Sequence, residues 1–324
     1  MREQESVAVI VPTFNSEKNI SRLITSVYNQ DYQPIEVIVV DGASTDGTVS
    51  AVRELASKLN SESFRICILR EEDYGNHRSP ANARNIGISN SISNYILLFD
   101  SDFELTERTL VSHLKAELEK YPCVGAKVVP KIDTWLELHC AIDEFRRDLS
   151  SNVHTYCGYR REILEKTMFD PELGFGEDRD LHARLGILPV YVDATCSRHL
   201  IHTFGQWRRQ AFWYGKTFPR FLRKYWRTID PRRFWINPLA QLAWRTANLS
   251  LLALSIVGIF LSPVLSIVAL VLFLVRLIYL YVRSASRKSY RLVYLLLRET
   301  YYAFWFVTGL LTSFIGRSAR GLTH

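Results

Sequence analysis

Acidic side chains nearly vanish from the last part of this 324-residue sequence: residues 198–324 hold 2 of them against 19 Lys and Arg. Residues 1–197 reverse the balance, with 31 acidic and 21 basic side chains. The formal net charge of +7 is thus a sum over two unlike parts, and such a split predicts two regions with different surroundings. Cysteine is scarce too. Cys67, Cys123, Cys140, Cys157 and Cys196 are odd in number and widely spaced, which excludes a small disulfide scaffold. No Cys-x-x-Cys occurs, so structural zinc is not expected and a reducing compartment fits. Repeats and low-complexity tracts are absent, and 48% hydrophobic residues exclude intrinsic disorder. A secretory signal is missing as well. The start, Met1 to Ser6, is mixed in charge, and the apolar run Val7–Val11 stops after five residues at Pro12. The expectation is that the acidic part stays in the cytoplasm.

What is present in that part is alternation. Short runs rich in β-branched residues, Val7–Val11, Val37–Val40, Arg65–Leu69, Tyr95–Phe99, Val124–Val129 and Val190–Val192, read as strands. Between them, Ile20, Leu23, Ile24 and Val27 recur at helical spacing, as do Val49, Val52, Leu55 and Ala56. Alternating strands and helices predict an α/β fold, with a mostly parallel sheet covered on both faces. Ligands of such sheets sit beyond the carboxyl ends of the strands.

Three of those ends are polar and acidic: Pro12 to Glu17, Asp41 to Thr48, and Asp100-Ser101-Asp102. The second also reads as a helix-capping turn, with Asp46 or Thr48 as the cap. Asp100 and Asp102 follow the core strand Ile96–Phe99 and, at i and i+2, are expected on one face. Two such carboxylates suit a divalent cation such as Mg²⁺ or Mn²⁺, or divide it with a ribose hydroxyl. A second acidic cluster, Gly176-Glu177-Asp178-Arg179-Asp180, opens a helix. It reads either as favourable charge at a helix start or as a general base for an incoming hydroxyl.

Taken in order, Val11-Pro12-Thr13-Phe14-Asn15-Ser16-Glu17, Val40 to Thr48, Ala83-Arg84-Asn85-Ile86-Gly87, Leu98 to Asp102 and Gly176-Glu177-Asp178 resemble the motifs of a family 2 glycosyltransferase with the GT-A fold, along residues 6 to about 205. The resemblance implies a Rossmann-like, metal-dependent catalytic domain. It implies that Pro12, Thr13, Glu17, Asp41, Asp46, Arg84 and Asp100 line the nucleotide-sugar pocket and that Asp102 binds the metal. It further implies that Asp178, supported by Glu177, is the catalytic base. His202 is a second metal candidate, against a plain histidine. Arg208 and Arg209 could clamp the diphosphate or face lipid headgroups. The Gln-x-x-Arg-Trp motif of processive members is missing, which argues against a processive synthase.

The basic part reads differently. Residues 198–245 combine 11 basic residues, one acid and 12 aromatics. The charge-free run Thr246–Val275 follows, which argues for a membrane interface and against nucleic acid. The expected layout is a catalytic domain over 1–205, an interfacial segment over 206–245 and a membrane region over 246–324, with helices at about 245–262, 264–282 and 299–316. Arg283 to Arg291 then lie inside by the positive-inside rule. This predicts a multi-pass cell-membrane protein with a cytoplasmic catalytic domain. Its expected partners are a UDP- or GDP-sugar, a lipid-linked or glycan acceptor and membrane lipids. A polyprenyl-phosphate glycosyltransferase and a non-catalytic membrane scaffold are the competing expectations.

Overall fold

A computed structural model describes residues 5–75, 78–131, 157–187, 189–199, 203–225, 238–283 and 300–314. The chain divides between Leu200 and Ile201 into two compact units.

The first unit is built on β1 (Val7–Thr13), β2 (Ile35–Asp41), β3 (Phe64–Arg70), β4 (Tyr95–Leu98), β5 (Phe103–Glu104), β6 (Cys123–Lys131), β7 (Cys157–Arg160) and β8 (Val190–His199). They form one sheet in the order β3-β2-β1-β4-β7-β6-β8-β5. Neighbours from β3 to β4 are parallel, as is β6 with β8, but β7 and β5 pair antiparallel. The sheet is therefore mixed, with four of its seven pairings parallel. The two antiparallel strands are four and two residues long, too short to leave a periodic signature in the sequence.

Helices cover both faces: α1 (Glu17–Tyr28), α2 (Thr48–Leu59), α3 (Pro80–Asn90), α4 (Leu110–Leu118), α5 (Arg161–Lys166) and α6 (Glu177–Leu185). Every residue of β1 is buried, as a strand sandwiched between helix layers must be. On one face Ala8 and Ile10 pack with Ile88, Ile96, Leu98, Tyr159 and Phe169. Each large side chain buried in this way is worth about 1.5–3 kcal/mol. Gly87 lets α3 lie flat on β1: a Cβ there would stand 2.4 Å from Ile10 Cγ2. That close approach fixes the height of Arg84, one turn earlier, over the sheet.

The second unit contains α7 (Phe204–Tyr225), α8 (Pro238–Leu261), α9 (Pro263–Arg283) and a helical stretch over 300–314. The 300–314 stretch packs directly on α7, where a Cβ on Gly215 would fall 1.9 Å from the Phe306 carbonyl oxygen. Aromatic contacts flank this approach, Phe218 to Phe306 at 5.5 Å and Phe204 to Tyr301 at 5.7 Å between ring centroids. α8 and α9 form a hairpin closed by Ser266 Oγ donating to the Ser255 carbonyl at 2.6 Å.

The expectation of membrane-spanning helices, and with it a multi-pass membrane location with a cytoplasmic domain, is overturned here. Among the described residues no helix is long and apolar enough to cross a membrane. The apolar stretch of the sequence is cut up in the fold. α8 begins at Pro238, ahead of the apolar run, and Ser262 separates it from α9. α9 carries Ser266 and Arg276, and the stretch over 300–314 is shorter than the ~20 residues a span needs.

Candidate active site

Thr13 ends β1, Asp41 ends β2, and the parallel register sets them side by side. Both are buried, with 6% and 2% of their surface exposed. Asp41 Oδ2 accepts the Ser44 N–H at 3.0 Å. Asp41 Oδ1 and Thr13 Oγ1 are buried and meet no hydrogen-bond partner. A buried acceptor left unmade costs about 1–3 kcal/mol, so these two atoms call for a ligand with donors. Pro12 lies one residue earlier, also buried in β1.

The loops after these strands lock into each other. Asn15 donates its N–H to Ser44 Oγ at 2.8 Å, and Asn15 Oδ1 accepts the Thr45 N–H at 2.8 Å. Ala43 sits at φ 67°, a left-handed conformation that costs a non-glycine residue about 1–3 kcal/mol and collects at functional sites. Glu17 and Asp46 work on the helix starts. Asp46 accepts the Thr48 N–H at 3.1 Å and the Glu17 N–H at 3.3 Å, while Glu17 Oε2 accepts the Gly47 N–H at 3.2 Å. Partial burial opposes the Asp46 charge, but the Thr48 and Glu17 hydrogen bonds outweigh it and hold its carboxyl below the usual range. The N-cap of α2 is Gly47 rather than Asp46 or Thr48, and Asp46 takes up the first N–H of that helix from the residue before the cap.

Sequence reasoning overlooked Glu71. It is 2% exposed in the short 3₁₀ turn Glu71–Tyr74. Its Oε1 accepts the Ser79 N–H at 2.9 Å and Asn82 Nδ2 at 2.8 Å. Its Oε2 lies 3.4 Å from where a Cβ of Gly42 would stand, beside Asp41. Burial pushes its carboxyl above the ordinary range, against the pull of those two hydrogen bonds.

The centre of the rim is a buried arginine between two carboxylates. Arg84 Nη2 donates to Asp100 Oδ1 at 2.8 Å and Arg84 Nη1 to Glu177 Oε1 at 3.0 Å. Burial works against the guanidinium charge, yet Asp100 and Glu177 together hold it more firmly protonated than usual. Glu177 opens α6 after Gly176, which adopts φ 74°, a conformation glycine reaches without steric cost. Burial first, and then the neighbouring Asp178 charge, push the Glu177 carboxyl up to about 7, against the lowering effect of Arg84. Asp178 follows in the same first turn and is partly exposed.

Asp100 and Asp102 lie in a turn beyond β4, not in a strand, so the same-face rule does not govern them. Asp100 turns to Arg84, whereas Asp102 Oδ2 accepts Arg198 Nε at 2.9 Å. The β5–β8 pairing, which sets Phe103 opposite Arg198, creates that contact. Among the described residues no group of three or more His, Cys, Asp or Glu side chains could hold a metal ion. A cation held together with a diphosphate needs only one or two protein carboxylates, the phosphates completing the shell. The oxygen chemistry of Asp102 fits that role. His202 lies outside the described residues. Arg208 and Arg209 belong to the second unit, exposed on α7, with the Arg208 guanidinium 5.4 Å from the Trp305 ring centroid.

Residues 8–168 match the profile of Glycosyl transferase family 2. This region is a family 2 glycosyltransferase domain. Relatives of the domain are spread widely. A dolichyl N-acetyl-alpha-D-glucosaminyl phosphate 3-beta-D-2,3-diacetamido-2,3-dideoxy-beta-D-glucuronosyltransferase of Methanococcus voltae is 27% identical over 203 residues, 55% of this chain and 61% of the relative. The poly(ribitol-phosphate) beta-N-acetylglucosaminyltransferase of Staphylococcus aureus (strain Mu50) is 36% identical over 105 residues, 32% of this chain and 17% of the relative. The aligned stretch is thus less than two thirds of either relative. In fold, the chain is similar to the mannosyltransferase PcManGT from Pyrobaculum calidifontis, solved with GDP-Man and Mn²⁺. The TM-score is 0.59 at 20% identity, over 97% of this chain and 88% of that one.

Within the first unit, the fold brings Thr13 beside Asp41 and joins Arg84, Asp100 and Glu177. It gives Asp102 a cationic neighbour, Arg198, that no spacing rule would single out. The one available signal was the basic residue at position 198 where the last strand ends.

Proposed function

We propose that this domain transfers a sugar, with inversion, from a uridine or guanosine diphosphate sugar to a hydroxyl of a lipid-linked saccharide or glycan. The observation that carries the reading is the pair of buried, unpartnered oxygens on Asp41 and Thr13 at adjoining strand ends. Uracil and guanine both present a ring N–H, the donor Asp41 Oδ1 lacks. Pro12 and the interlocked β1–α1 and β2–α2 loops shape the wall of that base site. Names of relatives support the acceptor class: the archaeal relative acts on a dolichyl-linked sugar phosphate and the staphylococcal one on poly(ribitol-phosphate).

The diphosphate leaves as an anion, and Asp102 is the residue that would hold a divalent cation against it. Bound there, Mg²⁺ or Mn²⁺ supplies charge neutralisation of the leaving group. Asp178, on the first turn of α6 and partly open to solvent, accepts the proton of the attacking hydroxyl. Help of this kind is typically worth ~10²–10⁴-fold. Attack from the face opposite the departing diphosphate inverts the anomeric centre in a single displacement.

Calorimetry with UDP and with GDP, each with Mn²⁺, tests the reading. The intact protein is expected to bind at least one of them, and Asp41→Ala to weaken that binding by about tenfold or more, as a hydrogen bond to a charged group predicts. No binding of either nucleotide, with or without metal, would leave a non-catalytic scaffold as the better description.

A further inference from the structure

The motif Ala83-Arg84-Asn85 does something other than touch the donor. We infer that α3 is a clamp that fixes the acceptor-side carboxylates of α6 against the donor-side turn of Asp100, with Arg84 as its positioning residue. The inference rests on the glycosyltransferase reading and reassigns Arg84 within it.

Three side chains of α3 or its cap reach the segment that leads into α6. Ser79, the N-cap of α3, donates through Oγ to the Pro171 carbonyl at 2.8 Å. Asn85 brackets the backbone of Phe169: its Nδ2 donates to the Phe169 carbonyl at 2.8 Å and its Oδ1 accepts the Phe169 N–H at 3.0 Å. Arg84 lies over the Phe169 ring, 5.4 Å from its centroid, and ends on Glu177. The segment 169–177 is thus tied to one helix at its first, third and last residues.

That helix in turn rests on the sheet through Gly87 and Ile10. Its arginine spends one terminal nitrogen on Asp100 and the other on Glu177, so both are occupied by protein. The Arg84 side chain is 7% exposed against 31% for Asp100, which places the carboxylate, and not the guanidinium, at the open side. An arginine buried between two acids holds their spacing. Each terminal nitrogen keeps a second N–H, but with 7% of the side chain exposed little of it is open to a diphosphate. Removing it leaves the Glu177 carboxylate without its cation and the first turn of α6, which bears Asp178, without its tether.

A binding-against-turnover split decides the matter. UDP and GDP affinity with Mn²⁺ is measured by calorimetry for the intact protein, Arg84→Gln and Arg84→Lys. Slow hydrolysis of UDP-glucose, UDP-GlcNAc and GDP-mannose is followed in parallel. The positioning role predicts nucleotide affinity within about threefold of the intact protein and a fall in hydrolysis kcat of about 10²-fold in Arg84→Gln, the scale of lost base catalysis, with part of it restored in Arg84→Lys. A tenfold or larger loss of nucleotide affinity in either variant would show that Arg84 holds the donor and overturn the inference. So would unchanged kcat. If Arg84→Gln does not fold, Arg84→Lys carries the same readout, because it keeps the charge and loses the two-ended geometry. An intact protein that neither binds nor hydrolyses any of these nucleotides overturns the glycosyltransferase reading itself, a distinct result.

Discussion

The two units spend their side chains in opposite ways. In the first, apolar residues go inward: β1 is buried end to end, and Asp41, Asp100 and Asp102 stand at or just beyond strand ends. In the second, apolar residues also face outward. Phe260 is 86% exposed, Leu261 72% and Val264 70%, around the turn of the α8–α9 hairpin. The first unit keeps helices on a sheet by filling the space between them. Close approach needs glycine in both, at Gly87 against Ile10 in the first and at Gly215 against Phe306 in the second. The lesson is that hydrophobic residues in a sequence report burial only where a second layer exists to cover them. In the first unit the sheet supplies that layer, and chemistry can be concentrated where the layer ends.

The sharpest way to probe this contrast is to change the rim alone. Asp102→Ala is expected to lower nucleotide-sugar hydrolysis by about 10³-fold, the scale of a lost electrostatic contact to a leaving group, with the thermal midpoint nearly unchanged. Turnover surviving at the level of the intact protein would remove Asp102 from the mechanism. The converse test changes the second unit alone. Gly215→Ala places a methyl 1.9 Å from the Phe306 carbonyl oxygen. Overpacking of this kind costs about 1–3 kcal/mol and should lower the denaturation midpoint of that unit. Nucleotide affinity, which is read from the first unit, is expected to stay as it was. Loss of affinity would mean that the two units are coupled more tightly than their separate cores imply.

The smallest expected effect is pH dependence. Glu177 is pushed up to about 7, above its ordinary value of 4.5. Its folded form therefore binds protons more readily than its unfolded form. Its stabilising contribution is complete below pH about 4.5 and is lost as pH rises through about 7. Urea denaturation between pH 5 and pH 8 should show a shallow downward slope from this group, and Glu177→Gln should flatten it. A slope that survives the substitution would place its origin elsewhere.

Much of the domain was readable from local patterns. β1, β2, β3 and β4 fall where β-branched runs predict strands, and α1 lies where Ile20, Leu23, Ile24 and Val27 predict a buried face. Four of the five motifs land at strand ends or helix starts, and Ala83–Gly87 lies in the body of α3. The two-residue β5 was not readable, because so short a strand exists only through its partner, β8. Its consequence, the Arg198–Asp102 contact, was hidden with it. The apolar run after Thr246 misled for a related reason. The division at Ser262 was expected, but hydropathy counts residues along the chain and does not show that the two helices meet through Ser255 and Ser266.

By itself the sequence determined the α/β alternation, the charge split near residue 198 and the motifs that mark a family 2 domain. All of these depend on residues within a few positions of one another, where backbone geometry and hydrophobic period act. Tertiary structure alone decided which charges meet. Arg84 reaches Glu177 across 93 residues and Arg198 reaches Asp102 across 96. Such pairs are set by strand order and by how closely a helix can lie on its sheet, and no spacing along the chain encodes either.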